Sequence, residues 1–105
     1  MDKAKQERLK AAGWRVGDAA DFLELTAEEA ELVEVKLALG DYMRRVRRSR
    51  RMTQAQVAER IGSSQSRVAK MEAADSSVSL DLVVKSLFSL GASSHEVGRV
   101  IAGPA

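Results

Sequence analysis

"TQAQVAERIGSSQSRVAKME", Thr53 to Glu72, carries two short helical patterns with a Gly between them. Thr53-Gln-Ala-Gln56 is a capping box: a hydroxyl accepts from one orphan backbone N–H while the Gln side chain reaches back. The helix it starts turns Val57, Ala58 and Ile61 inward. Gly62 takes positive φ without a steric penalty and ends that helix abruptly. The second helix begins at Ser64 or Gln65, and its inward residues are Val68 and Met71, three positions apart. A turn of about three residues is too short for antiparallel packing of full helices, so the pair crosses steeply. Close backbones at that crossing require Ala58 to be small.

Two crossed helices with a Gly turn form a helix-turn-helix. With Val68 and Met71 inward, Gln65, Ser66, Ala69 and Lys70 face outward from the N-terminal part of their helix. Such side chains suit the major groove of DNA. A Gln amide bonds bidentately to adenine, Ser serves several bases, and Ala admits close approach or a thymine methyl. The opening Ser-Gln-Ser-Arg therefore need not anchor the helix.

Outward from this stretch, the chain reads as helix throughout, with no internal repeat and no convincing alternation of period two. A second capping box, Thr26-Ala-Glu-Glu29, starts a long helix over 27–49. Its apolar stripe is Leu32, Val35, Leu39, Met43 and Val46, widened by Val33 and Leu37, with Gly40 as a weak point. Ser79 caps a helix from Leu80 to Leu90, with Leu80, Val83, Val84 and Leu87 on one face and Gly91 as terminator. Ser93-Ser-His-Glu96 caps a last helix that stops before Gly103-Pro104. The pattern predicts a charged helix with a thin apolar face over 2–12 and a short helical turn through Leu23 capped by Asp18.

Charge is strongly segregated. Val16 to Met43 holds eight acids and one Lys, a balance of −7. Arg44 to Lys70 holds nine bases and one acid, a balance of +8. The swing predicts one surface for a polyanion and another for a basic partner. Within the basic part, "RRVRRSRR" (Arg44 to Arg51) has six Arg in eight positions. One or two cations suffice to complement a helix C-terminus. Six beside a DNA-reading unit predict a phosphate clamp, with Arg44, Arg48 and Arg51 on one side by their spacing of four and three.

Other classes fare worse. The chain has no Cys, so disulfide and thiolate sites are excluded. The lone His, His95, sits in a capping turn, and Asp18, Asp21 and Glu28 are explained as helix-start acids. No catalytic, metal or cofactor site is expected. The Arg-rich helix lacks the aromatic face of a membrane-surface helix. No apolar run approaches the ~20 residues of a membrane span. The charged start, MDKAKQERLK, has no apolar signal core, so a cytoplasmic, nucleoid-associated location is expected.

The stretch Gln54, Val57-Ala58, Ile61-Gly62, Val68 and Met71, with the Arg-rich helix before it and Val78-Ser79-Leu80 after it, resembles the helix-turn-helix of Xre/Cro-type regulators. The resemblance covers residues 37–101. It implies an all-α, lambda repressor-like five-helix DNA-binding domain that binds operator DNA as a homodimer. It assigns base reading to Gln65, Ser66 and Lys70, and phosphate contact and bracing of Gln65 to Gln54, with Arg67 beside that face. Ser63 departs from the pattern, which has an apolar turn residue there. The dimer contact falls either on the last helix (Val97, Val100, Ile101) or on the long helix.

Residues 1–36 are expected to be an N-terminal helical extension, and 102–105 a tail. Trp14, Phe22, Leu23 and Leu25 are large apolar groups in its acidic segment. Either they pack back on the domain or they form a partner-binding arm. The layout "GWRVGDAADFLEL" followed by a long helix and this motif resembles small antitoxins paired with RelE- and HigB-like toxins. That resemblance implies a basic toxin protein as partner. A free-standing regulator, or a protein-interaction module on the same fold, fits the same sequence.

Overall fold

The computed structural model describes residues 26–103, and every helix there begins on a hydroxyl. Thr26, Thr53, Ser64, Ser79 and Ser93 each accept a hydrogen bond from the backbone N–H three residues on. At Thr26, Thr53 and Ser93 the reciprocal bond completes the capping box. The helices so started are α1 (Ala27–Ser49), α2 (Gln54–Ile61), α3 (Gln65–Glu72), α4 (Leu80–Ser89) and α5 (Ser94–Ala102). No strand occurs among the described residues, so the domain is all-α with five helices. The helices expected at 2–12 and near 18–23 lie outside the described residues.

Four of the helices end the same way. The amide of Met52 donates to Arg47 O (3.0 Å), Ser63 to Ala58 O (2.8 Å), Asp75 to Lys70 O (2.9 Å) and Ala92 to Leu87 O (3.0 Å). Each reversal puts one residue in the left-handed region: Arg51, Gly62, Ala74 and Gly91. Two of these are Gly, as the sequence predicts; two pay the steric cost of a Cβ there.

The core is built by Leu39, Met43, Val57, Val68, Met71, Val83, Leu87 and Leu90, all fully buried, with Ala58, Val78 and Val97 beside them. On α1 the buried face is rotated from the expected stripe. It comprises Val33, Lys36, Leu37, Leu39, Gly40 and Met43, whereas Leu32 is 46% exposed and Val35 and Val46 are half-buried. The reason is that the packed face includes residues an apolar count omits. Gly40 is not a weak point in α1 but a point of close backbone approach. A Cβ there would lie 2.8 Å from Met71 O and 2.9 Å from Glu72 O, so only Gly lets α1 meet the end of α3.

Lys36, also on that face, lies under the loop joining α3 to α4. Its Nζ donates to Val78 O (2.6 Å) and Asp75 O (3.3 Å), so the buried ammonium serves carbonyls that no helix satisfies. Burial pulls its pKa below the usual lysine value, and the Asp75 charge partly offsets this. α5 packs along α1, where Tyr42 Oη donates to Glu96 Oε2 (3.1 Å). Val97 is spent in the chain's own core; of the three residues considered for a dimer contact on α5, only half-buried Val100 and exposed Ile101 remain at the surface.

Candidate nucleic-acid interface

The α2–α3 pair is held from inside by few residues. Val57 and Ala58 on α2 and Val68 and Met71 on α3 are buried, and Ile61 is half-buried. Gly62 adopts φ 69°, with open space where a Cβ would stand, so the hinge needs Gly for its backbone and not for room. Ser63 bonds through its amide to Ala58 and is half-buried; Ser64 caps α3. The polar Ser63 leaves the turn's hydrogen bonds intact and forgoes the apolar contact that often accompanies this reversal.

With those anchors fixed, the first turns of α3 present Gln65, Ser66, Arg67 and Lys70 to solvent, and Ala69 is half-buried among them. Ser64, Ser66, Arg67 and Lys70 line an open groove of about 330 Å³ together with Ser77 and Val78 from the loop before α4. Two of its lining residues are cationic and none is acidic. Hydroxyls, cations and an amide share the exposed first turns of α3 beside an open groove. That composition suits the edges and phosphates of a nucleic acid better than a small apolar ligand.

Behind this tip lies a buried ion cluster. Glu72, the last residue of α3, has no exposed side-chain surface. Arg47 Nε donates to its Oε2 (2.6 Å) and Arg47 Nη2 to its Oε1 (3.1 Å), a bidentate pair. Gln54 Nε2 donates to the same Oε1 (3.3 Å), and Arg44 Nε lies 3.5 Å from it. Arg47 Nη1 also holds Met52 O (3.1 Å), in the link that leads into α2. Burial pushes the Glu72 carboxyl up, but Arg47, Gln54 and Arg44 outweigh burial and hold it below the usual carboxylate range.

A family model described as "Helix-turn-helix domain" matches residues 38–100. The chain belongs to the helix-turn-helix domain family. No curated protein and no solved structure matches it. Membership supports a DNA-binding regulator, and the geometry of this helix-turn-helix can be compared with each expected role.

Gln65, Ser66, Lys70 and Arg67 share the outward tip of α3. The Gln54 amide is turned to Glu72, at the far end of α3 from Gln65. The six Arg of the run divide. Arg47 is 14% exposed and committed to Glu72. Arg45 stands over the Tyr42 ring (5.8 Å), and Arg50 lies against Gly91, so both turn toward α4 and α5. Arg44, 41% exposed at its side chain, and Arg48, exposed, lie one turn apart on α1. Arg51 is exposed but beyond the end of α1, in a left-handed conformation. Helical spacing therefore does not by itself set its place relative to the other two. Trp14, Phe22, Leu23 and Leu25 lie outside the described residues.

Three polar residues escaped the sequence reading: Lys36, Arg47 and Glu72. A signal for them existed. Val33, Lys36, Gly40, Met43 and Arg47 are spaced 3, 4, 3 and 4, one continuous helical stripe, and Glu72 follows Val68 by one turn. Among the described residues no group of three or more His, Asp or Glu is placed to hold a metal, and no helix is long and apolar enough to cross a membrane.

Proposed function

We propose that the chain is a sequence-specific transcriptional repressor of the Xre/Cro type that works in the cytoplasm as a homodimer on operator DNA. The observation that carries this reading is the division of α3. Val68 and Met71 are fully buried while Gln65, Ser66, Arg67 and Lys70 all stand outward at the N-terminal part of the same helix. Gln65, Ser66 and Lys70 read base edges; Gln54, Arg67, Arg44, Arg48 and Arg51 hold phosphates. Two-fold symmetry sets the two α3 tips ~34 Å apart along a palindrome.

Selection of binding sites from random duplexes tests it: a palindromic consensus is expected, and recovery of no preferred sequence ends the proposal. Gln65→Ala should weaken binding to the selected site by ~1–3 kcal/mol and leave the thermal midpoint unchanged. About four neutralised phosphates per protomer give a log–log salt slope of about −3.6, roughly −7 for the dimer. A slope flatter than about −2 removes the phosphate clamp.

The finer reading is an antitoxin that neutralises a basic toxin and represses its own operon. It rests on the acidic front of the chain, with Trp14, Phe22, Leu23 and Leu25 as anchors, facing a partner made basic by RNA binding. Co-expression with the neighbouring reading frame should yield a complex that a chain beginning at residue 37 no longer forms. If the shortened chain still binds, the contact lies elsewhere; if no complex forms, the free-standing regulator remains.

A further inference from the structure

Glu72 is over-supplied with partners for a residue that serves the core alone. The bidentate Arg47 pair already gives each carboxylate oxygen a charged donor. Oε1 nevertheless also takes Gln54 and lies 3.5 Å from Arg44, and neither of these is buried. Gln54 is the first residue of α2, and Arg44 projects from α1 toward solvent. Both belong to the surface on which the regulator reading places DNA. Each also retains unused donors: the second Nε2 hydrogen of Gln54, and the two Nη groups of Arg44.

Resting on that reading, we infer that Glu72 is a positioning residue for DNA discrimination: it fixes Arg44 and Gln54 in one geometry and withholds positive charge from the DNA backbone. The chemistry has two parts. Fixing the two side chains in the free protein removes rotamer freedom that would otherwise be lost on binding, which favours the duplex whose phosphates fall where the donors already point. A buried negative charge behind the cations also lowers the attraction to any phosphate, which weakens sequence-independent binding. Both parts raise the ratio of specific to non-specific affinity. A core ion pair with no such role changes both affinities together, through folding.

The test compares the full chain and two variants on the selected duplex and on a scrambled one. Circular dichroism and thermal melting confirm that each variant is folded at the assay temperature. Glu72→Gln keeps an oxygen acceptor and removes the charge. Non-specific binding is expected to tighten by about 3-fold or more at low salt, with a salt slope steeper by up to about 0.9 per protomer. The specificity ratio is expected to fall about 10-fold. The double variant Arg47→Met, Glu72→Met replaces the buried pair by apolar groups, an exchange such sites often tolerate, and leaves the net charge unchanged. It should lose discrimination without steepening the slope, and it serves alone if Glu72→Gln does not fold. Parallel weakening on both duplexes with an unchanged ratio, or a folded double variant that discriminates as the wild type does, overturns the inference. A wild type that selects no sequence removes the regulator reading itself and this inference with it.

Discussion

The α2–α3 pair and α1 solve the same packing problem with opposite materials. α2 and α3 hold each other through Val57, Ala58, Val68 and Met71, and of their polar residues only Glu72, at the end of α3, is buried. α1 lays against the rest a face that includes Lys36, Gly40 and Arg47 among Val33, Leu37, Leu39 and Met43. The difference follows from what each helix meets. α2 and α3 meet side chain to side chain. α1 meets the end of α3 and the loop after it, where the last carbonyls and the Glu72 carboxylate need donors. A face of Leu and Val there would bury those acceptors unpaired, at ~1–3 kcal/mol each.

The largest break in this comparison is Glu72→Ala. It leaves Arg47 almost fully buried without its counter-charge, and removal of one partner from such a pair costs ~3–5 kcal/mol. Urea unfolding of the variant should show a loss of that order, with Gln65→Ala as an inert surface control. The same carboxylate makes stability depend on acid. Its folded pKa lies below the unfolded value of about 4.3, so its contribution is complete above that pH and is lost as pH falls through the folded value. Asp75, bonded to Ser77, shifts in the same direction. The thermal midpoint should be flat from pH 7 to about 5 and drop below about 4.3. In Glu72→Gln that drop should be shallower.

A smaller effect sharpens the comparison because one chemical change takes opposite signs at two places. Gly40→Ala adds a methyl within 2.9 Å of two backbone oxygens that cannot swing aside. Overpacking costs ~1–3 kcal/mol, which exceeds the helix propensity regained. A net loss of about 1–2 kcal/mol is expected, with weaker DNA binding because the displaced atoms are those of Met71 and Glu72. Gly98→Ala, on α5, meets nothing within 4 Å and should gain up to about 1 kcal/mol. Equal signs in the two melts would mean that α1 and α3 do not approach at Gly40.

The same contrast explains what could be read from the chain beforehand. The α2–α3 unit was legible because caps, periodicity and the Gly hinge all point to one structure, and the residues that hold its crossing, Val57, Ala58, Val68 and Met71, are apolar. So were four of the five N-caps, Thr26, Thr53, Ser79 and Ser93, and the Gly91 terminator. The rotation of α1 was not, because an apolar stripe weighs Leu32 and ignores Lys36 and Arg47, although the folded chain buries the cations and exposes the Leu. In a run of six Arg, the sequence gives no charge-based reason to single out Arg47. Only its place seven residues beyond Gly40 and four beyond Met43 does so. Gln54 was assigned to Gln65 because the acceptor it uses, Glu72, was not suspected inside.

The last and smallest effect concerns the two left-handed residues that are not Gly. Arg51 (φ 54°) and Ala74 (φ 56°) terminate α1 and α3 with the same reversal that Gly62 and Gly91 provide elsewhere. Replacement by Gly relieves the Cβ strain in both, offset in part by the larger entropy of Gly in the unfolded chain. Arg51 is exposed, so Arg51→Gly should raise stability by ~0.5–1 kcal/mol. Ala74 is 2% exposed, so Ala74→Gly also gives up a buried methyl worth ~0.8 kcal/mol and should come out near zero. The Arg51 variant carries a second readout. If that side chain neutralises a phosphate, the salt slope flattens by ~0.9 per protomer while the melt rises. A gain in stability with no change in slope would leave Arg44 and Arg48 as the clamp and make Arg51 a strained helix end that the DNA never meets.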